Sequence, residues 1–258
     1  MTHHYVTFGE GIPFIFQHGL GASVAQVEEL FRPLTGAQLI SLDMPGHGTS
    51  SLPKKQQPSF NYYADKLVEL MDELHITKAI FGGISMGAGI ALDVAQRYPD
   101  RLMGLVLVRP AWLTQSHPLN LRVLLDVASA LESSSKGTFV ESEVFQQMQS
   151  NVPAAADSLL GLFSSEQRME LPYVLREMVG DKPIANKKNI TSISSPCLII
   201  GNDHDPLHPY MMAEKLHEWI AASQLVKVPS RYKNNVAHTE EVNQVVSTFI
   251  GNYEEYLG

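Results

Sequence analysis

One serine in this chain stands where its neighbours could make it a nucleophile. In "AIFGGISMGAGIAL", residues 79–92, Ser85 lies between Gly83 and Gly87, with an apolar run before it and a helical pattern after it. A buried strand that turns at once into a helix holds such a serine on a tight bend, its hydroxyl above the sheet. Glycines there remove side chains that would clash. The N–H of Met86 then lies at a helix N-terminus, where it can donate to a developing oxyanion with the helix dipole behind it. The chemistry this suits is acyl transfer. In a chain with 18 glycines the Gly-x-Ser-x-Gly pattern is weak by itself, so its context must carry the argument.

A serine hydroxyl attacks poorly until a base takes its proton, and the base must be a histidine oriented by a carboxylate. The C-terminal third offers both. "LIIGNDHDPLHP" puts Asp203 and Asp205 just past an apolar run, and "VPSRYKNNVAHTEEV" puts His238 in what reads as the loop between the last strand and the last helix. Spacing does not choose between the two aspartates. A second oxyanion donor from a loop after an early strand fits the Leu20 N–H in "FIFQHGLGAS". Asp203, His204, Asp205 and His208 also read as a metal cluster. Neighbours on one irregular loop rarely converge on an ion, however, and no His-Glu-x-x-His motif accompanies them, so no metal and no diffusible cofactor are expected. In "LVLVRPAWL", Arg109 and Trp112 fall at the rim of the expected pocket. Arg109 is suited either to a structural ion pair or to gripping a substrate carboxylate.

The elements that must position these residues are legible as an α/β alternation. "PFIFQ" (13–17), "QLISLD" (38–43), "KAIFGGI" (78–84), "RLMGLVLV" (101–108), "PCLIIG" (196–201) and "QLVKVP" (224–229) read as buried strands, and "HYVTFG" as an edge strand. Between them, residues 61–74, the stretch after Ser85, 210–220 and 239–253 space apolar residues at three and four, as helices do. The expected architecture is a mainly parallel sheet with crossover helices. The alternation stops after Trp112 and resumes at Pro196. A gap of that length must fold, and four helical patterns within it predict an inserted helical lid over 113–190, leaving 1–112 and 191–258 as the core.

Composition narrows the function. The net charge of −8 without a basic block disfavours nucleic acid as a partner. No run approaches the roughly 18 apolar residues of a membrane span, and no signal-peptide pattern opens the chain. One cysteine, Cys197, excludes an internal disulfide. A soluble protein of the reducing cytoplasm is expected, acting on a small, rather apolar molecule.

The motifs "QHGLG", "DMPGHGTS", "GGISMGAG", "GNDHDPLHP" and "AHTEEV" together resemble the landmarks of the α/β-hydrolase fold superfamily, from His18 to the C-terminus. The resemblance implies a carboxylesterase-like serine hydrolase with Ser85 as nucleophile, His238 as base and Asp205, the acid before a proline, as orienter. It implies Leu20 and Met86 as oxyanion donors, His18 and His47 as loop braces, and a first strand lost from the sheet edge. Lactonase, thioesterase, carbon–carbon hydrolase and cofactor-free perhydrolase chemistry use the same triad. A ligand-sensing receptor of this fold is the reading from another class.

Overall fold

A computed structural model describes residues 4–31, 34–164 and 169–257. Seven strands form one sheet: β1 Tyr5–Phe8, β2 Ile12–Gln17, β3 Ala37–Leu42, β4 Ala79–Ile84, β5 Leu102–Val108, β6 Cys197–Gly201 and β7 Ser223–Lys227. Their order is β1-β3-β2-β4-β5-β6-β7, parallel throughout except that β1 runs antiparallel to β3 at the edge. Both faces of the central strands are apolar, which demands cover on both sides. Ile15, Phe81, Leu105 and Ile199 face one way, and Phe14, Ile80, Val106 and Leu198 the other.

The first face is covered by α2 (Phe60–Glu73), α3 (Met86–Arg97) and α10 (Tyr210–Trp219), the second by α1 (Val24–Phe31) and α11 (Asn235–Leu257). Between β5 and β6 lie α4 Val123–Glu132, α5 Lys136–Glu141, α6 Glu143–Asn151, α7 Pro153–Gly161, α8 Leu171–Gly180 and α9 Lys187–Thr191. Residues 165–168 of that insertion lie outside the described residues.

Two helices differ from the sequence pattern, each because a polar side chain takes a backbone N–H. Residues 138–151 read as one helical run, yet Ser142 turns extended and its hydroxyl accepts from the Phe145 N–H, so α5 ends and α6 begins there. Asn234 does the same for α11, its side chain accepting from the Ala237 N–H at 3.1 Å. The last helix therefore starts at Asn235, and His238 sits in its first turn, not in the preceding loop. That corrects the expectation that placed His238 in the loop.

Candidate active site

At the end of β4 the chain turns into α3 through Ser85, whose φ of 57° and ψ of −108° lie where a non-glycine residue is strained. Close approach makes the flanking glycines necessary. A Cβ on Gly83 would meet the Gly87 backbone at 2.2 Å, and one on Gly87 would meet the Gln17 carbonyl oxygen at 2.2 Å. The bend is anchored by the Ser85 N–H donating to the Val108 carbonyl at 3.0 Å. Among the described residues the Ser85 hydroxyl has no hydrogen-bond partner. Met86 is the first residue of α3, so its N–H has no acceptor within the helix.

The loop after β2 comes up beside this bend: a Cβ on Gly19 would lie 3.7 Å from the Ser85 Cβ. Gln26 holds the loop through the Gly19 N–H at 2.8 Å, and Leu20 and Gly21 follow into the cavity wall. His18 braces the same loop. Its Nδ1–H donates to the Gly19 carbonyl at 2.8 Å and its Nε2 accepts from the Met44 N–H at 3.1 Å. Asp43 clamps the neighbouring loop by accepting from the N–H groups of Val24 and Thr49. His47 is buried with both ring nitrogens unpartnered, and burial lowers its pKa to about 3. Both histidines are thus held neutral within the loop framework.

Ser85 opens into a cavity of about 230 Å³ walled by Leu20, Arg109, Trp112 and Leu207, by Leu121, Leu124, Leu159 and Leu162 of the helical insertion, and by Ser158, His208, Arg231 and Tyr232. A larger groove of about 580 Å³ between β7 and α11 does not include Ser85 in its lining. Arg109 and Trp112, expected at the rim, both line the Ser85 cavity and are nearly inaccessible.

The acid and the bases are arranged differently from the expected triad. Asp205 is buried and its carboxylate is fully engaged. Oδ1 accepts from His208 Nδ1 at 2.9 Å and from the N–H groups of Leu207 and His208, while Oδ2 pairs with Arg109 Nη1 at 3.3 Å. His208 and Arg109 outweigh the cost of burial and hold the Asp205 carboxyl well below the usual carboxylate range. Asp205 makes no hydrogen bond to His238.

His238 lines a neighbouring cavity with Ser23, Glu29, Asn235 and Thr239, which shares Ala22, Gln26, Ile84, Arg109 and Arg231 with the cavity that holds the serine. Its Nδ1–H donates to the Pro229 carbonyl at 2.8 Å. Burial, with Arg109 nearby, lowers its pKa to about 4. The expected Ser85, His238, Asp205 chain of hydrogen bonds is therefore not formed in this structure. Instead the His238 ring donates to the Pro229 carbonyl, and His208 and Arg109 take the Asp205 carboxylate. Asp203 is exposed and pairs with Lys227 at 2.5 Å, so of the two aspartates only Asp205 reaches the interior.

The histidine that shares the serine's cavity is His208. With Nδ1–H donated to a carboxylate, its Nε2 is left as the acceptor nitrogen. Burial lowers its pKa against the pull of Asp205. The sequence reading weighed His208 only as a metal ligand, although the Asp-x-x-His spacing at the entry to a helix was the signal available. Arg231 and Tyr232 were not singled out. Between β7 and α11 it is these two that reach the cavity, Tyr232 with its hydroxyl 3.4 Å from Ser158 Oγ. Among the described residues no group of three or more His, Cys, Asp or Glu side chains is gathered to hold a metal ion.

The fold and the serine bend together define a family. A family model described as alpha/beta hydrolase fold matches residues 12–235, and the chain belongs to that family. Its relatives by sequence include several hydrolases. The 2-hydroxymuconate semialdehyde hydrolase of Pseudomonas putida is 25% identical over 94% of this chain and 88% of that protein. A protein of Mycobacterium phage D29 described as a non-heme haloperoxidase is 38% identical over 120 residues, 45% of this chain and 42% of that protein. Among solved structures, an esterase from Thermogutta terrifontis superimposes with a TM-score of 0.73 at 22% identity, covering 99% of this chain and 92% of that one. A meta-cleavage product hydrolase from Pseudomonas fluorescens IP01 gives 0.77 at 21% identity, covering 97% and 94%. At these identities the structural likeness concerns the fold.

Proposed function

We propose that the chain is a serine hydrolase that cleaves an ester or related acyl bond of a small substrate, with Ser85 as nucleophile. The observation that carries this reading is the strained Ser85 bend: an unpartnered hydroxyl beside the Met86 N–H, at the floor of a cavity walled by leucines and Trp112 on one side and by polar and cationic side chains on the other. Ser85 Oγ attacks the substrate carbonyl while His208 Nε2 takes the hydroxyl proton. The tetrahedral oxyanion is held by the N–H groups of Met86 and Leu20. His208 then gives the proton to the leaving group, and water, deprotonated by the same imidazole, releases the acid and restores Ser85. In this reading Asp205 fixes the His208 tautomer, which replaces the expected role of His238. Support for it is the shared cavity and the Asp205–His208 hydrogen bond.

The helices over 113–190 act here as a lid, supported by the side chains that α4 and α7 contribute to the cavity wall. The buried Cys197, its thiol pKa pushed up by burial, suits a chain working in a reducing cytoplasm.

Labelling by a fluorophosphonate serine probe, together with sustained release from p-nitrophenyl acetate, tests the reading. Both are expected in the native chain and both are expected to vanish in Ser85→Ala. Native protein that neither labels nor turns over an ester would overturn it. A second reading, a ligand-binding module on the same fold, draws on the missing hydrogen bond between Ser85 and any histidine. It predicts saturable binding without sustained turnover.

A further inference from the structure

The Ser85 cavity carries positive charge that its own walls do not neutralise. Arg109 is 4% exposed, and its only acceptor among the described residues is Asp205, through one contact at 3.3 Å. Its Nε is buried without a partner. A guanidinium has five N–H donors, so a buried one with a single acceptor is left short. It follows β5 directly with φ 46°, a second strained residue beside Ser85, held by its N–H donating to the Ile200 carbonyl at 2.7 Å. Arg231 lines the same cavity, stacks over Tyr232, and makes no ion pair among the described residues. Asp205 offsets one of these cations and His208 is neutral, which leaves one cation over. The whole chain, by contrast, carries −8.

We infer that the substrate presented to Ser85 is itself an anion, an acyl compound bearing a carboxylate that Arg231 and the free edge of Arg109 hold while Trp112 and the leucines enclose its hydrocarbon part. A planar fork of N–H donors in an apolar wall matches a carboxylate bidentately and discriminates against a neutral end group. The inference rests on the hydrolase reading only for which molecule is turned over; the binding preference stands apart from chemistry.

The test compares monomethyl glutarate with methyl hexanoate. Calorimetry on the Ser85→Ala chain is expected to give at least tenfold tighter binding of the half-ester, and the native chain at least a tenfold higher kcat/KM for it. Arg231→Gln is expected to lower both ratios by tenfold or more, whereas Lys233→Gln, the same charge change on an exposed neighbour, leaves them unchanged. Equal binding of the two esters, no detectable half-ester binding, or a preference that survives Arg231→Gln would overturn the inference. Turnover of both esters without discrimination would do so while leaving the hydrolase reading intact. Selective binding without turnover would sustain the inference and remove the hydrolase reading.

Discussion

Ser85 is held in a conformation that costs of the order of 1–3 kcal/mol, and nothing in the hydrogen-bonding of its side chain compensates. Strain of this kind persists where geometry serves a site, so the hydroxyl is the group to remove first. Ser85→Ala is expected to lower ester turnover by about 10⁴ with little change in melting temperature. Next come the two histidines, which make opposed predictions. If His208 is the base, His208→Gln lowers kcat by about 10³ while His238→Gln leaves it within a few-fold. Steady-state kinetics on p-nitrophenyl acetate decide, and the reverse ranking would restore His238 to the role first read for it. Asp205→Asn presents an NH₂ donor to His208 Nδ1, favours the wrong tautomer and is expected to cost up to about 10⁴ in turnover.

At the scale of elements, the β4–α3 joint and the insertion matter most. Gly87→Ala drives a Cβ into the Gln17 carbonyl oxygen at 2.2 Å, a backbone atom that no side-chain rotation can move aside. Overpacking of that kind is expected to cost about 3 kcal/mol or more, read as a lowered denaturation midpoint. In the insertion, Leu162 is half-buried and contributes to the cavity wall without taking part in chemistry. Leu162→Ala should shift preference toward longer acyl chains while reactivity toward an acetate ester stays near native. A uniform loss across chain lengths would instead mark the segment as packing alone.

For the whole molecule, the buried histidines set the response to acid. His18, His47, His208 and His238 all have pKa values lowered by burial, to about 3 for His47 and about 4 for His238. Unfolded histidines titrate near 6.5, so between that pH and 4 the unfolded chain binds more protons than the folded one. Stability is therefore full above about pH 6.5 and falls as pH drops. Asp205, depressed when folded, adds a further loss below about pH 4. Asp93, raised to about 6 by burial, acts in the opposite sense between 4 and 6, but it is one group against four. The melting temperature is expected to fall steadily from pH 7 to pH 5, and a flat profile would contradict the burial of these side chains. Among the described residues no helix is long and apolar enough to cross a membrane.

How much of this could be read from residues alone depends on whether neighbours in sequence are neighbours in space. The strands, the helices around them and the Ser85 bend are local patterns: apolar period, glycine spacing and a serine between them determine a β4–α3 joint wherever the rest of the chain goes. The burial of Arg109 and Trp112 near that joint follows from their place just past β5. What pairs with Asp205 is not a local matter. His208 and Arg109 take its carboxylate, while His238 donates to the Pro229 carbonyl. Tertiary structure seats His208, Tyr232 and Arg231 around the serine's cavity and gives the Asp205 carboxylate to His208 and Arg109, because a buried carboxylate is satisfied by the donors that packing brings to it.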